Sequence, residues 1–458
     1  MSAMFRSFSV FNYRIWFIGA LVSNIGQWMQ GTALSWVVLT GLTDNDAGAM
    51  GITMALQFAP PLLLVGVTGW VADRFDRRRL LMLTQALLLT IGAVIGVLIL
   101  QGLMTLPLMY AFAFVLGIVA AFDNPARQAF VSDLVARENA SNAVALNAAS
   151  FNGARMIGPA VAGIVIVAVG TGWVFLINAA TFLAMIVALM RIRQDELVPR
   201  VQAPGAARLA DGFRYVRGRP DLLVTFAMVF LLGAFGMNFP IFASTMAIEF
   251  GKDADGYGLL SSILAIGSLA GALLAARRDR ARIRFVVAGT GLFAVAGAIS
   301  ALMPTYWLYA ATLMFTGFAV VTTMTTANGY VQTTTDPALR GRVLALYMAI
   351  LMGGTPIGAP IVGWVADSYG PRAAIWLGAA AAFVACAIGV TWMLASGRVH
   401  RSETRRFALS LDETRPIALV EPPAPEEFSD EVAGTTPIRL PDIATASITA
   451  PIAVTPRA

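Results

Sequence analysis

Three residue types that carry much of protein chemistry are almost missing from these 458 residues: there is one cysteine, Cys386, one histidine, His400, and one lysine, Lys252. A disulfide framework needs paired cysteines, and a structural metal site needs several Cys or His ligands at short spacing, so neither can be built here. The lone lysine sits in FGKDAD, outside any G-x-x-x-x-G-K-[ST] loop, which excludes ATP hydrolysis by this chain. A nucleophile with a histidine and paired catalytic carboxylates are missing as well, so no enzyme, cofactor or metal is expected. Charge is scarce too. Only 13% of residues are charged against 58% hydrophobic, where a soluble protein carries about 25% charged residues. A water-soluble fold is not expected.

What the chain has instead is a series of about twelve apolar segments, from one near 14–39 to one near 373–395. Each is long enough, at ~1.5 Å per residue, to cross the ~30 Å hydrocarbon layer as a helix. The expected class is an all-α membrane protein with twelve transmembrane helices. The first run is too long for a signal peptide and lacks a small-residue cleavage pattern, so it is expected to stay as the first span. An even count puts both termini on one side. Of the 32 basic residues, all but Lys252, Arg372 and Arg155 lie at the N-terminus, in even-numbered loops or in the tail. That asymmetry follows the positive-inside rule, so both termini are expected in the cytoplasm, with the chain multi-pass in the plasma membrane. The pI near 9.8 then reflects topology, and no nucleic-acid partner is needed.

Residues 145–180 align without a gap on residues 345–380, best at IGPAVAG against IGAPIVG, and the register survives through Gly170 and Gly370. Two pseudo-symmetric six-helix bundles follow, an arrangement typical of secondary transporters with a site between the repeats. The expected domains are an N-terminal bundle over 1–191, a cytoplasmic linker over 192–220, a C-terminal bundle over 221–395 and a disordered cytoplasmic tail over 396–458.

The densest charge lies in GWVADRFDRRRL, residues 69–80, and the pentapeptide GWVAD returns at 363–367 without the arginines. Asp73 ends an apolar helix, where it can pair with an arginine or accept from exposed N–H groups at another helix start. Arg74, Arg77 and Arg78 hold the loop on the cytoplasmic side and are expected to partner Asp73 and Asp123. A purely topogenic cluster is the alternative. Asp367 lies on the opposite face and can cap an external turn.

Inside the spans, Arg155 with Asn152 one turn earlier is either a cavity residue for an anionic or protonatable group or a structural partner of a neighbouring helix. Ser23, Asn24, Gln27 and Gln30 share one helical face that should look inward. Asn238 among Phe235, Met237, Phe239 and Phe242, and Asn328 beside a threonine run, are further cavity candidates, with packing as the competing use. Gly158, Pro159 and Gly163, with Gly358 and Pro360, thin and bend two related helices.

Gly69-x-x-x-Asp73-Arg74-x-x-Arg77-Arg78, together with SNIGQWMQGTALSWVVL, DNPARQAFVSDLV and GARMIGPAVAG, resembles the major facilitator superfamily over residues 5–395, in the bacterial efflux branch that includes macrolide and enterobactin exporters. Two departures stand out: Asp76, where the pattern often has Gly, and Ala162-Gly163 in place of two glycines. The resemblance implies a latch in which Asp73, Arg77 and Asp123 tie the N-terminal half and press on the start of the eleventh span, near Arg340 and Arg342, in the outward-open state. It implies a secondary exporter of a small lipophilic or amphiphilic solute, a drug, siderophore or metabolite, by alternating access as a proton antiporter. A proton-independent facilitator, a lipid flippase and a receptor-like binding protein stay open on the same fold. The implied partners are a small-molecule substrate, protons and the lipid bilayer, with the chain monomeric.

Overall fold

The computed structural model describes residues 3–198, 209–277, 281–396, 399–401 and 409–411. The first half comprises α1 (Phe11–Trp36), α2 (Ala47–Leu63), α3 (Val65–Arg74), α4 (Arg77–Leu100), α5 (Leu106–Asp133), α6 (Arg137–Val169) and α7 (Thr171–Arg191). A short helix, α8 (Leu209–Arg217), leads into the second half: α9 (Pro220–Leu231), α10 (Phe239–Glu249), α11 (Ala254–Ala276), α12 (Ile283–Leu302), α13 (Tyr306–Thr334), α14 (Arg340–Tyr369) and α15 (Pro371–Ala395). Among the described residues, ten segments are long and apolar enough to cross a membrane by length and composition. The first and second spans complete the twelve. The polar residues of α1 lower its apolarity, and α2 is cut short by a break.

That break follows from chemistry the sequence reading passed over. Pro60 and Pro61 remove two backbone donors, the helix stops at Leu64 (φ −96°, ψ 3°), and α3 restarts at Val65. The seventh span breaks as well. A π turn over Leu232–Gly236 separates α9 from α10, and Asn238 (φ −82°, ψ 43°) is non-helical before Pro240. α6 is one continuous helix through Pro159, and α14 is one through Pro356 and Pro360.

The internal repeat has a structural counterpart. Gly170 (φ +94°) ends α6 and Gly370 (φ +91°) ends α14, each in a conformation that side chains with a Cβ rarely adopt. Most of the expected tail lies outside the described residues. Where it is described, Val399–Arg401 pairs antiparallel with Leu409–Leu411, a short ladder in a segment expected to have no regular structure.

With twelve spans, the start of α1 and the end of α15 share one side, the terminal side; the other is the far side. On the far side one apolar core runs through both halves, from Met29, Val38 and Met50 to Phe242, Tyr257 and Val362. Trp36 stacks on Tyr257 across the halves at 6.0 Å. On the terminal side the first half has a core of its own around Tyr13, Trp16, Phe130 and Leu189. There α3 packs on α2, α4 and α5, and Gly66, Gly69, Gly153 and Gly341 have nothing within 4 Å of where a Cβ would stand. The backbone-to-backbone approaches of the two halves lie on the far side.

Small residues make that meeting possible, since lipid supplies little hydrophobic drive between helices and packing must come from close approach. A Cβ on Gly163 would lie 2.5 Å from Ala254 O, and one on Gly358 would lie 1.7 Å from Ala234 O. These glycines serve contact. We expect Gly358→Ala to cost about 1–3 kcal/mol, read as a lowered melting temperature in detergent, whereas Gly153→Ala leaves it unchanged.

Candidate functional site

The first half carries a buried polar network near its terminal side. Asp123 on α5 is fully buried and accepts from Thr84 Oγ1 at 2.6 Å, Gln85 Nε2 at 2.8 Å and Arg127 Nε at 3.0 Å. Arg127 lies one turn along the same helix, so the pair is an i,i+4 pair. Its Nη1 and Nη2, and Gln85 Oε1, are buried without a hydrogen-bond partner. The expected tie between Arg77 and Asp123 is not made. Arg77 instead reaches Asp133 at the end of α5, with Nη1 at 2.9 and 3.1 Å from the two carboxylate oxygens. The reason is height: Arg77 opens α4 at the boundary, level with Asp133, while Asp123 sits ten residues deeper.

The rest of the arginine cluster also works within the first half. Arg78 Nε donates to Leu189 O at 2.7 Å and Nη2 to Met190 O at 3.3 Å, capping the carbonyl end of α7. Asp76, the departure from the family pattern, keeps φ at −64° and accepts from Arg79 N at 2.8 Å as the N-cap of α4. Arg74 is exposed, and the side chain of Asp73 lies outside the described residues. At the other end of the expected latch, Arg342 pairs with Asp211 of α8 at 3.2 Å, and Arg340 is exposed.

A second network escaped the sequence reading. Arg219 makes two hydrogen bonds to Asp221, at 2.9 and 2.8 Å, Tyr330 donates to Asp221 at 2.9 Å, and Arg219 also reaches Tyr215 at 2.9 Å. The hydrogen bonds to Asp221 raise the Arg219 guanidinium further above its ordinary value, so the guanidinium stays charged at any physiological pH. It joins the start of α9 to α13 where the second half begins.

The cavity candidates divide. Arg155 on α6 is half-buried, its guanidinium 5.6 Å from the ring centre of Trp28 on α1, and Phe151 meets the same indole edge-on at 5.7 Å. Among the described residues no carboxylate lies within ion-pair distance of Arg155. Asn152 bonds back to Ala148 O at 2.8 Å, and Gln27 is half-buried. Asn24 is buried, and Gln30 turns into the first half to accept from Asn178 of α7. Asn238 is fully buried in the break of the seventh span, its Nδ2 on Ala234 O at 2.6 Å and its Oδ1 without a partner. Phe235 packs against the far-side core, and Asn328 accepts from Gln332 one turn on. The threonines beside it, Thr323 and Thr326, bond to their own helix. Of these candidates the structure brings Arg155 against α1, and it buries Asn24 and Asn238. Trp28, which the quoted family stretch contains but to which no role was given, forms the α1 side of this contact.

Comparison with known proteins follows this geometry. A family model described as transmembrane secretion effector matches residues 2–414. The enterobactin exporter EntS of Citrobacter koseri is 24% identical over 396 residues, covering 85% of this chain and 92% of that one. The staphyloferrin A transporter of Staphylococcus aureus is 30% identical over 179 residues, 38% of this chain and 44% of that one. Among solved structures, a bacterial homologue of the human lysosomal transporter Spinster, inward-facing and unoccupied, superposes with a TM-score of 0.69 at 12% identity over 83% of this chain and 96% of that one. The nucleoside transporter NupG gives 0.66 at 14% over 83% and 98%.

Removing one member of a buried ion pair strands the other. Asp123→Ala is expected to destabilise by about 3–5 kcal/mol, and Asp123→Asn combined with Arg127→Gln to recover part of that, as read from thermal unfolding in detergent of the single and double variants.

Proposed function

We propose, from the premise that this chain belongs to the transmembrane secretion effector family of the major facilitator superfamily, that it is a secondary exporter of a small amphiphilic solute bearing an acidic group. The observation that carries this reading is Arg155, a cation at the seam of the first half with an aromatic platform and no carboxylate within reach among the described residues. A charge inside a membrane bundle is costly unless something pairs with it or water reaches it. An anionic solute arriving between the halves would supply the missing partner, while Trp28 and Phe151 would take its apolar part. The relatives support the same class, since the names of two of them refer to siderophores.

In this reading the structure is the loading state. The terminal side is cytoplasmic, as the arginine distribution requires, and solute enters there while the far side stays shut. Export is the rocking of the halves about the site, and protons moving inward drive it. Arg77, Arg78, Asp123, Arg127 and Asp133 keep the first half rigid so that it moves as one body. The Arg219–Asp221 pair does the same where the second half begins.

Flux from proteoliposomes tests this, with enterobactin and staphyloferrin A as probes. Arg155→Ala is expected to lower flux of an active probe at least about tenfold, the loss of one charge-assisted contact, with Arg155→Lys retaining part of it. Unchanged flux in Arg155→Ala would make the arginine structural. A gradient acid on the receiving side should speed export, and flux indifferent to it would leave a facilitator.

A further inference from the structure

The second copy of GWVAD, at 363–367 on α14, reaches across to the opposite half. Asp367 Oδ1 accepts from Ala47 N and Oδ2 from Gly48 N, both at 2.7 Å. These are the first two residues of α2, in the opposite half. The α2 start already has a cap of its own: Asp46 Oδ1 accepts from Ala49 N at 2.7 Å. One helix N-terminus thus holds two carboxylates, one from its own chain segment and one from across the gate. A helix start offers unsatisfied N–H groups and a positive dipole end, so the second carboxylate finds donors there that nothing else in the helix uses.

Backbone proximity makes the reach possible. A Cβ on Gly363 would stand 2.2 Å from Ala47 O, and one on Gly48 would stand 3.0 Å from Asp367 Oδ2 and 3.1 Å from Asp46 Oδ1. Gly51 is as tight, 2.3 Å from Ala359 O. The same two spans, read from their other ends, repeat the pattern. The second span ends in Gly69-x-x-x-Asp73 on α3, and α14 begins Arg340-Gly341 as α2 begins Ala47-Gly48. There Gly69 and Gly341 have no atom within 4 Å of a Cβ position.

We propose that Asp367 is a removable helix cap: it shuts the far-side gate by capping α2 from the opposite half, and it must leave Ala47 and Gly48 whenever the far side opens. The bond suits a gate because its rupture strands nothing. On opening, water reaches two N–H groups and a carboxylate that already lie beside an open depression of about 670 Å³ bordered by Asp44, Asp46, Glu249 and Asp367. The proposal rests on the alternating-access reading above and is independent of which solute moves.

Distance measurement between spin labels tests it without transport. Labels at Leu103→Cys and Trp307→Cys, exposed positions at the far ends of the two halves, are placed in a Cys386→Ser background. Asp367→Ala is expected to shift the ratio of far-side-open to closed protein by about tenfold, the scale of a lost helix cap. Gly363→Leu is expected to open the same side with Asp367 intact, which covers the case of a poorly folding Asp367 variant. Asp46→Ala removes the local cap and is expected to leave the distances in place. Unchanged distances in both Asp367→Ala and Gly363→Leu, or an equal opening in Asp46→Ala, would overturn the proposal.

Discussion

Backbone contact between helices of opposite halves is the constraint on which this architecture depends. Two apolar helices in lipid gain little by hiding apolar surface from a solvent as oily as themselves, so the halves hold together through close packing of small residues and through polar bonds. Gly163 against Ala254, Gly258 against Pro159, Gly51 against Ala359 and Gly363 against Ala47 bring main chain onto main chain in two pseudo-symmetric seams. All four lie on the far side. Because such contacts form only at short range, the halves cannot be half closed, and a seam is either made or absent. That discreteness lets a modest polar bond such as the one from Asp367 decide the position of a large body.

Charge is arranged around the same division. Within the first half three carboxylates near the terminal side have a guanidinium or a helix start to pair with: Asp123 with Arg127, Asp133 with Arg77, Asp76 with its own helix. These bonds stay inside one rigid body and need not change as the halves move. Arg155 stands apart, with an indole face where the others have carboxylates. The contrast separates groups that stiffen a half from one whose partner would have to come from outside it.

The sequence made the spans, the repeat and the polarity of charge legible because each is a one-dimensional signal: run length, constant offset and loop composition. Partners within three or four residues were legible in principle as well, and Arg127 stood at that distance from Asp123. What the sequence hid was depth. Asp123 and Asp133 share a helix, and only their heights relative to Arg77 decide which one it meets. Asn238 illustrates another limit, since polarity in a span reads as a cavity signal, yet its amide bonds Ala234 O in a helix break that Pro240 and the neighbouring glycines set up. The break after Pro60 and Pro61 was written in the sequence but was absorbed into an apolar run of the right length.

The two copies of GWVAD explain why one carries arginines and the other does not. Both end a span in Gly-x-x-x-Asp, spaced so that the glycine allows approach one turn below the carboxylate. On the terminal side the loop must also stay out of the membrane and brace α4 against α5 and α7, and Arg77 and Arg78 do both. On the far side arginines would oppose the positive-inside bias, and Asp367 accepts from backbone N–H groups instead. Backbone donors are fixed in direction and cannot follow a retreating carboxylate as a long guanidinium chain can. A cap of this kind is lost over a short displacement.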